Sequence, residues 1–237
     1  SQKDVLSNST GSNGRIQGDV VFSDDPPGVA LRAAGASVVF PTPFGAAFPE
    51  SGTIEFLWTP AQDENTSTGS HFAERFPFVI TSRETQQGSA WPALVFYLAY
   101  RSHGGYYNKT VVHLGTGDYG GLSGTGTGLL LNLDFKAGQS MHVAITWDAR
   151  RTDRLLKCYI DGKEVIPEEP SAPSSTGPSP AEIVRRLQAQ YARLNTELEI
   201  LRYGRRPDGA DKEFDAGQFV ADLKIWNVAK DVFEAGP

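Results

Sequence analysis

Met141-His-Val-Ala-Ile-Thr-Trp-Asp148, Ala149-Arg-Arg-Thr-Asp-Arg154 and Leu155-Leu-Lys-Cys-Tyr-Ile-Asp-Gly-Lys-Glu-Val-Ile166 follow one another without a gap, and their pattern decides the fold. Met141, Val143, Ile145 and Trp147 alternate with His142, Ala144 and Thr146. A period of two puts one face of a strand on a core. After a charged break a second strand opens, with Leu156, Cys158 and Ile160 on its inward face. Asp161-Gly162 predicts a tight turn, because glycine adopts positive φ at no steric cost. Lys163 then starts the return strand. Strand, hairpin and hairpin are the marks of an antiparallel β protein.

Outward from this stretch, the same alternation recurs. Ile54, Phe56 and Trp58 share one face with Glu55 opposite, and residues 76–81 read as another strand. Residues 93–100 form a continuous apolar run of strand length, expected at the centre of a sheet. Residues 111–114, the alternation Leu129, Leu131 and Leu133, and residues 198–203 are further strands. The last clear strand places Phe219, Ala221, Leu223 and Ile225 inward, with Asp222 and Lys224 outward. Between the hairpin and residue 198 lies one helix near 180–195. Ser179 caps it, Pro180 takes the first helical position and Glu182 completes a capping box. Ile183, Leu187, Tyr191 and Leu194 make its apolar stripe.

The 141–166 stretch resembles the central signature of the laminin-G-like and concanavalin A-like jelly rolls. Three further segments carry the likeness: Gly52-Thr-Ile-Glu-Phe-Leu-Trp58, Glu197-Leu-Glu-Ile-Leu-Arg-Tyr-Gly204 and Phe219-Val-Ala-Asp-Leu-Lys-Ile-Trp226. The resemblance implies an all-β, two-sheet antiparallel jelly-roll sandwich with one inserted helix. A single domain is expected over 19–230, after a loose lead at 1–18 and before a tail at 231–237. The superfamily includes lectin-like modules, adhesion modules, glycosidases and polysaccharide lyases, so fold by itself leaves the activity open.

Composition narrows the partners. The 237 residues carry 22 Lys and Arg against 28 Asp and Glu, a formal charge of −6, and no basic block suggests nucleic acid. No apolar run is long enough to span a membrane. Ser1-Gln-Lys-Asp-Val5 is not a signal peptide; it reads as a mature end or as an end set within a longer protein, with neighbouring domains outside this chain. The resemblance implies export to the cell surface or beyond, and Asn8, Asn65 and Asn108 each open a glycosylation triplet. Cys158, the sole cysteine, excludes an internal disulfide and reads as a buried thiol. Gly115 to Gly128 holds seven glycines but no lysine placed for phosphate, which excludes a nucleotide loop.

The richest ligand chemistry lies in the cluster from Trp91 to Asp118, with Arg83 and Tyr119 flanking it. Aromatic faces stack on sugar rings, and a few polar groups then read the hydroxyls. Trp91, Tyr106, Tyr107 and Tyr119 are the platforms; Arg83, Arg101, Asn108 and Asp118 are the polar contacts. Tyr97 is either a further platform or, like Tyr100, a core residue of the central strand. The expected function is binding of a polysaccharide or glycan. The alternative is a lyase acting on a uronic-acid polymer. It must neutralise a carboxylate, remove the adjacent proton and protonate the leaving oxygen, for which Arg101, Asn108, His103, His113, Tyr106 and Tyr107 are the right types. A lone strand histidine such as His113 or His142 is also an ordinary packing residue. Glycoside hydrolysis needs two opposed carboxylates, and the Glu-x-Asp-x-x-Glu strand of the similar glucanases is missing. A third alternative is a protein-interaction or adhesion module. The resemblance also implies one structural calcium ion between an early loop and the last strand, with Asp24, Asp25 and Asp222 as the matching side chains.

Overall fold

The computed structural model describes residues 15–17, 20–24, 27–31, 37–41, 43–61, 74–82, 95–101, 109–115, 127–167, 179–192, 196–200 and 219–233. In chain order the strands are β1 (Arg15–Gln17), β2 (Val20–Asp24), β3 (Pro27–Leu31), β4 (Ser37–Pro41), β5 (Ser51–Thr59), β6 (Glu74–Ser82) and β7 (Val95–Arg101). Then come β8 (Lys109–Gly115), β9 (Thr127–Leu131), β10 (Met141–Asp148), β11 (Leu156–Ile160), β12 (Lys163–Val165), the helix α1 (Pro180–Tyr191), β13 (Thr196–Ile200) and β14 (Phe219–Trp226). They build two seven-stranded antiparallel sheets. The first runs β1-β4-β13-β6-β7-β8-β9 and the second β12-β11-β10-β5-β14-β3-β2. The chain passes between sheets at β1–β2, β3–β4, β4–β5, β5–β6, β9–β10, β12–β13 and β13–β14. β1 falls inside the stretch read as a loose lead. Three residues with one apolar side chain, Ile16, are too few to show alternation.

One core fills the space between the sheets. Val38, Phe40, Val112, Leu114, Leu129 and Leu131 of the first sheet meet Ile54, Phe56, Trp58, Val143, Ile145, Trp147, Leu156 and Cys158 of the second. The inward face read from 141–160 is therefore the observed one. The turn between β11 and β12 has positive φ at both Asp161 (48°) and Gly162 (79°). Asp161 also ties back to β10: its N–H donates to the His142 carbonyl at 2.9 Å, and its Oδ1 accepts from the His142 N–H at 2.8 Å. Gly52 stands directly opposite Trp147 in the β5–β10 ladder. A Cβ at that position would overlap the edge of the indole ring, so the tryptophan's place in the core depends on glycine across from it.

The last strand departs from the expected alternation. Val220 pairs with Trp58 and Ala221 with Leu57, but Lys224 pairs with Glu55 and Ile225 with Ile54. One extra residue is accommodated around Asp222, whose φ is 50°. Such a bulge reverses which side chains face the core. Val220 is buried there rather than Phe219 and Ala221, and only after the bulge does Ile225 return to the core phase.

The helix forms where expected. Ser179 Oγ accepts the Glu182 N–H at 3.3 Å, and Ile183, Leu187 and Tyr191 are buried together with Val184; Leu194 lies outside the described residues. The Glu182 carboxylate is gripped by Arg185 and Arg186, each at 2.8 Å, and these guanidinium hydrogen bonds pull its pKa down to about 2. α1 seals one end of the core. Tyr191 packs on Phe44 and Phe48, which in turn meet Trp147. Its hydroxyl donates to the Gly45 carbonyl and accepts the Phe44 N–H.

Candidate functional site

The outer face of the first sheet is defined by register. One ladder row reads Ile16, Val38, Ile200, Phe78, Leu98, Val112, Leu129, and its buried members Val38, Val112 and Leu129 mark it as the core row. The neighbouring row is Arg15, Val39, Glu199, Val79, Tyr97, His113, Gly128, out of phase with the core across all seven strands. Tyr97 of β7 and His113 of β8 are direct partners in it, toward the β9 edge. Val39 is fully buried, so the row is covered at β4. Tyr100 pairs with the buried Thr110 and belongs to the core phase. The two readings of these tyrosines thus separate. No phase was legible in the sequence because residues 93–100 are apolar throughout.

His113 therefore stands mid-strand in β8, and Arg101 ends β7, paired with Glu74 and Lys109. The remaining ligand candidates, Arg83, Trp91, His103, Tyr106, Tyr107, Asn108, Asp118 and Tyr119, lie outside the described residues. So do Asn8, Asn65 and Asp25. The strands nonetheless order their connections. Residues 83–94 and 116–126 leave one end of β7 and β8, whereas 102–108 joins their other ends.

The outer face of the second sheet carries a different constellation, around Glu55. Sequence alternation turns Glu55, His142, Ala144 and Thr146 away from the core, yet Glu55, Ala144 and Thr146 are buried. The cause is the chain after β14. Residues 227–233 cross this face, so the expected tail begins as a packed segment with Phe233 buried. Glu55 Oε1 accepts the Trp226 indole N–H at 2.7 Å and the Lys230 ammonium at 3.1 Å. Lys230 also lies over the Trp226 and Phe233 rings, 4.8 and 5.2 Å from their centroids. Beside it Arg151 donates to Thr146 Oγ1 at 2.9 Å and pairs with Asp231 at 3.4 Å. Burial, with Glu164 and Asp231 nearby, pushes the Tyr159 hydroxyl above its ordinary range. The only sequence signal for this cluster was a glutamate inside an otherwise apolar strand.

Of the three calcium candidates, Asp24 and Asp222 are described and Asp25 is not. Asp24 is exposed, and Asp222 is half-exposed with its carboxylate on the Lys224 ammonium at 2.6 Å. No group of three His, Cys, Asp or Glu side chains converges among the described residues. Cys158 is fully buried, and burial pushes its thiol up to about 12. No helix of the described residues is long and apolar enough to cross a membrane.

Solved structures share this arrangement of two antiparallel sheets around one core. The fold is a jelly-roll β-sandwich. The chain is similar to the botulinum neurotoxin serotype D binding domain at 14% identity and TM-score 0.54, covering 96% of this chain and 46% of that one. It is also similar to domain 4 of AbnA, a GH43 extracellular arabinanase from Geobacillus stearothermophilus solved in complex with arabinotriose. There the identity is 16% and the TM-score 0.52, covering 95% of this chain and 88% of that one. The binding domain of botulinum neurotoxin DC, solved in complex with SialylT, matches at 15% identity and TM-score 0.52, covering 94% of this chain and 45% of that one. The chain thus spans about half the length of the neurotoxin binding domains. No protein-family model and no curated protein matches the sequence.

Proposed function

We propose that this chain is a carbohydrate-binding module of concanavalin A-like type, acting outside the cell and recognising a polysaccharide or glycan on the first sheet. The observation that carries the reading is the out-of-phase row in which Tyr97 of β7 and His113 of β8 are direct partners. It lies between the two ends from which the aromatic and polar connections leave, roughly 20 Å apart for a seven-residue strand. An extended ligand along β7 and β8 would reach both ends, with Trp91, Asp118 and Tyr119 toward one and Tyr106, Tyr107 and Asn108 toward the other. The arabinanase domain bound to arabinotriose supports the substrate class, since the likeness covers nearly the whole of both chains. The second sheet is the poorer candidate, because residues 227–233 occupy its outer face.

A polysaccharide panel tests this. The chain is expected to retain one class of polysaccharide, and Tyr97→Ala and Tyr106→Ala are each expected to weaken retention. Retention unchanged by these and by Trp91 and Tyr107 substitutions removes the surface from consideration. A structural calcium ion is a separable part of the proposal; a rise in Tm on adding calcium, abolished in Asp222→Asn, supports it, and no rise removes it.

The Tyr97–His113 pairing also favours a second reading, the polysaccharide lyase. It puts two residue types able to move a proton on adjacent strands. A lyase produces ultraviolet absorbance from an unsaturated uronide when supplied with acidic polysaccharides. A silent panel across pH, with and without calcium, sinks it.

A further inference from the structure

We infer that Asp222, Lys224 and Trp226 form a second binding site, for a neutral sugar ring, on the outer face of β14. The site is separate from the first-sheet surface. Residues 227–233 run from the end of β14 across β5, β10 and β11, where they meet Thr53, Glu55, His142 and Tyr159. β14 itself keeps three exposed side chains, Asp222, Lys224 and Trp226, at alternate positions. Its pairing with β3 is at Val220 and Val29, so among the described residues the Lys224–Trp226 end has a ladder partner on the β5 side alone.

The bulge creates this row. Ala221 pairs with Leu57, and without the extra residue Leu223 would stand opposite Glu55. With it, Lys224 takes that place, and Leu223 packs against the core. One polar pair and one aromatic ring thereby share the outer face, about 7 Å apart at alternate positions.

Trp226 is held in place yet 41% exposed. Its indole N–H is satisfied by Glu55 Oε1 at 2.7 Å, and the Lys230 ammonium lies 4.8 Å from the ring centroid. The polar end of the side chain is thus turned to protein, and what remains exposed is apolar ring surface. A fixed aromatic ring with a few polar groups beside it suits a ligand that has an apolar face and hydroxyl edges. Asp222 and Lys224 supply an acceptor and a donor for those hydroxyls. Each ammonium beside the ring is already paired with a carboxylate, Lys224 with Asp222 at 2.6 Å and Lys230 with Glu55 at 3.1 Å. That balance favours a neutral sugar over a uronate or another acidic one.

The apolar surface is too small for a larger partner. Among the described residues Val228 adjoins Trp226 through Thr53, whereas Ile166 follows β12 at the far edge of the sheet and Val232 precedes Phe233 over β11. One indole and one valine fall far short of the roughly 800 Å² that a stable protein partner covers.

Nuclear magnetic resonance on the full chain tests the inference. The Trp226 indole N–H signal, assigned by its loss in Trp226→Phe, is followed as arabinotriose, xylotriose, cellotriose, mannotriose and trigalacturonic acid are added. At least one neutral trisaccharide is expected to move it saturably, with a Kd of about 1 mM. Trigalacturonic acid is expected to move it less. Lys224→Met, which keeps the stem and removes the donor, is expected to raise that Kd about fivefold. Tyr97→Ala is expected to leave it unchanged. A signal unmoved by every neutral trisaccharide at about 10 mM overturns the inference. So does tighter binding of the acidic trimer, a Kd indifferent to Lys224→Met, or a shift that Tyr97→Ala abolishes. Failure of the first-sheet reading leaves this shift in place, so the two fail separately.

Discussion

Glu55 and Lys230, 175 residues apart in sequence, meet at 3.1 Å on the outside of the second sheet. The carboxylate is nearly buried and the ammonium about two-thirds buried, so neither is an ordinary surface charge. Trp226 donates its indole N–H to the same carboxylate and lends its ring to the ammonium. This pair closes the end of the chain onto a strand laid down near its beginning.

Removing the ammonium leaves a buried carboxylate short of a partner. Lys230→Ala is expected to lower stability by about 1–3 kcal/mol, read by denaturant unfolding. Glu55→Gln combined with it is expected to lose less than the sum of the two single changes, because the pair is coupled. Additive losses would show that the contact contributes nothing as a pair.

Gly52→Ala adds one methyl group where the Trp147 indole already lies. The expected loss is about 1–3 kcal/mol, together with a change in the near-ultraviolet circular dichroism of the displaced tryptophan. An unaltered Tm would mean that the ring can move aside freely.

Cys158 yields a prediction of sign. Its thiol is pushed up to about 12 by burial, whereas an unfolded thiol ionises near about 8.5. Between these values the unfolded chain releases a proton that the folded chain keeps. The contribution to stability is therefore full below about pH 8.5 and lost as pH rises toward about 12. In neutral buffer the thiol is expected to react with a disulfide reagent only as fast as the protein unfolds. Rapid labelling of the folded chain would contradict its burial.

Ser179→Ala removes the oxygen that accepts the Glu182 N–H at the start of α1. A loss of about 1 kcal/mol is expected. Because α1 carries Tyr191 onto Phe44 and Phe48, the loss is expected to appear in global unfolding and not only as fraying of the helix. Fraying alone would separate the helix from the core.

Several features were readable from residue order. The alternation of Met141, Val143, Ile145 and Trp147 names a core face, and that face is buried. Asp161-Gly162 names a turn, and both residues have positive φ. Ser179 and Pro180 name the start of a helix, and α1 begins there. These are local rules, in which geometry follows from neighbours a few residues away. The candidate site was harder. The run 93–100 offered no polar residue to mark its phase, and only the register against β8, in which Tyr100 pairs with the buried Thr110 and Tyr97 with His113, separates the two tyrosines.

Residue order by itself determined that this chain makes strands, where one hairpin turns, where one helix starts, and which side of β10 and β11 is apolar. It did so because backbone sterics and side-chain period act over short distances. The tertiary structure alone decided that Val220 and not Ala221 enters the core, since a bulge depends on the partner strand. It also decided that Tyr97 stands beside His113, and that Lys230 returns to cover Glu55. Those relationships join segments separated by long stretches of chain, and no local pattern encodes which distant backbone will arrive as a neighbour.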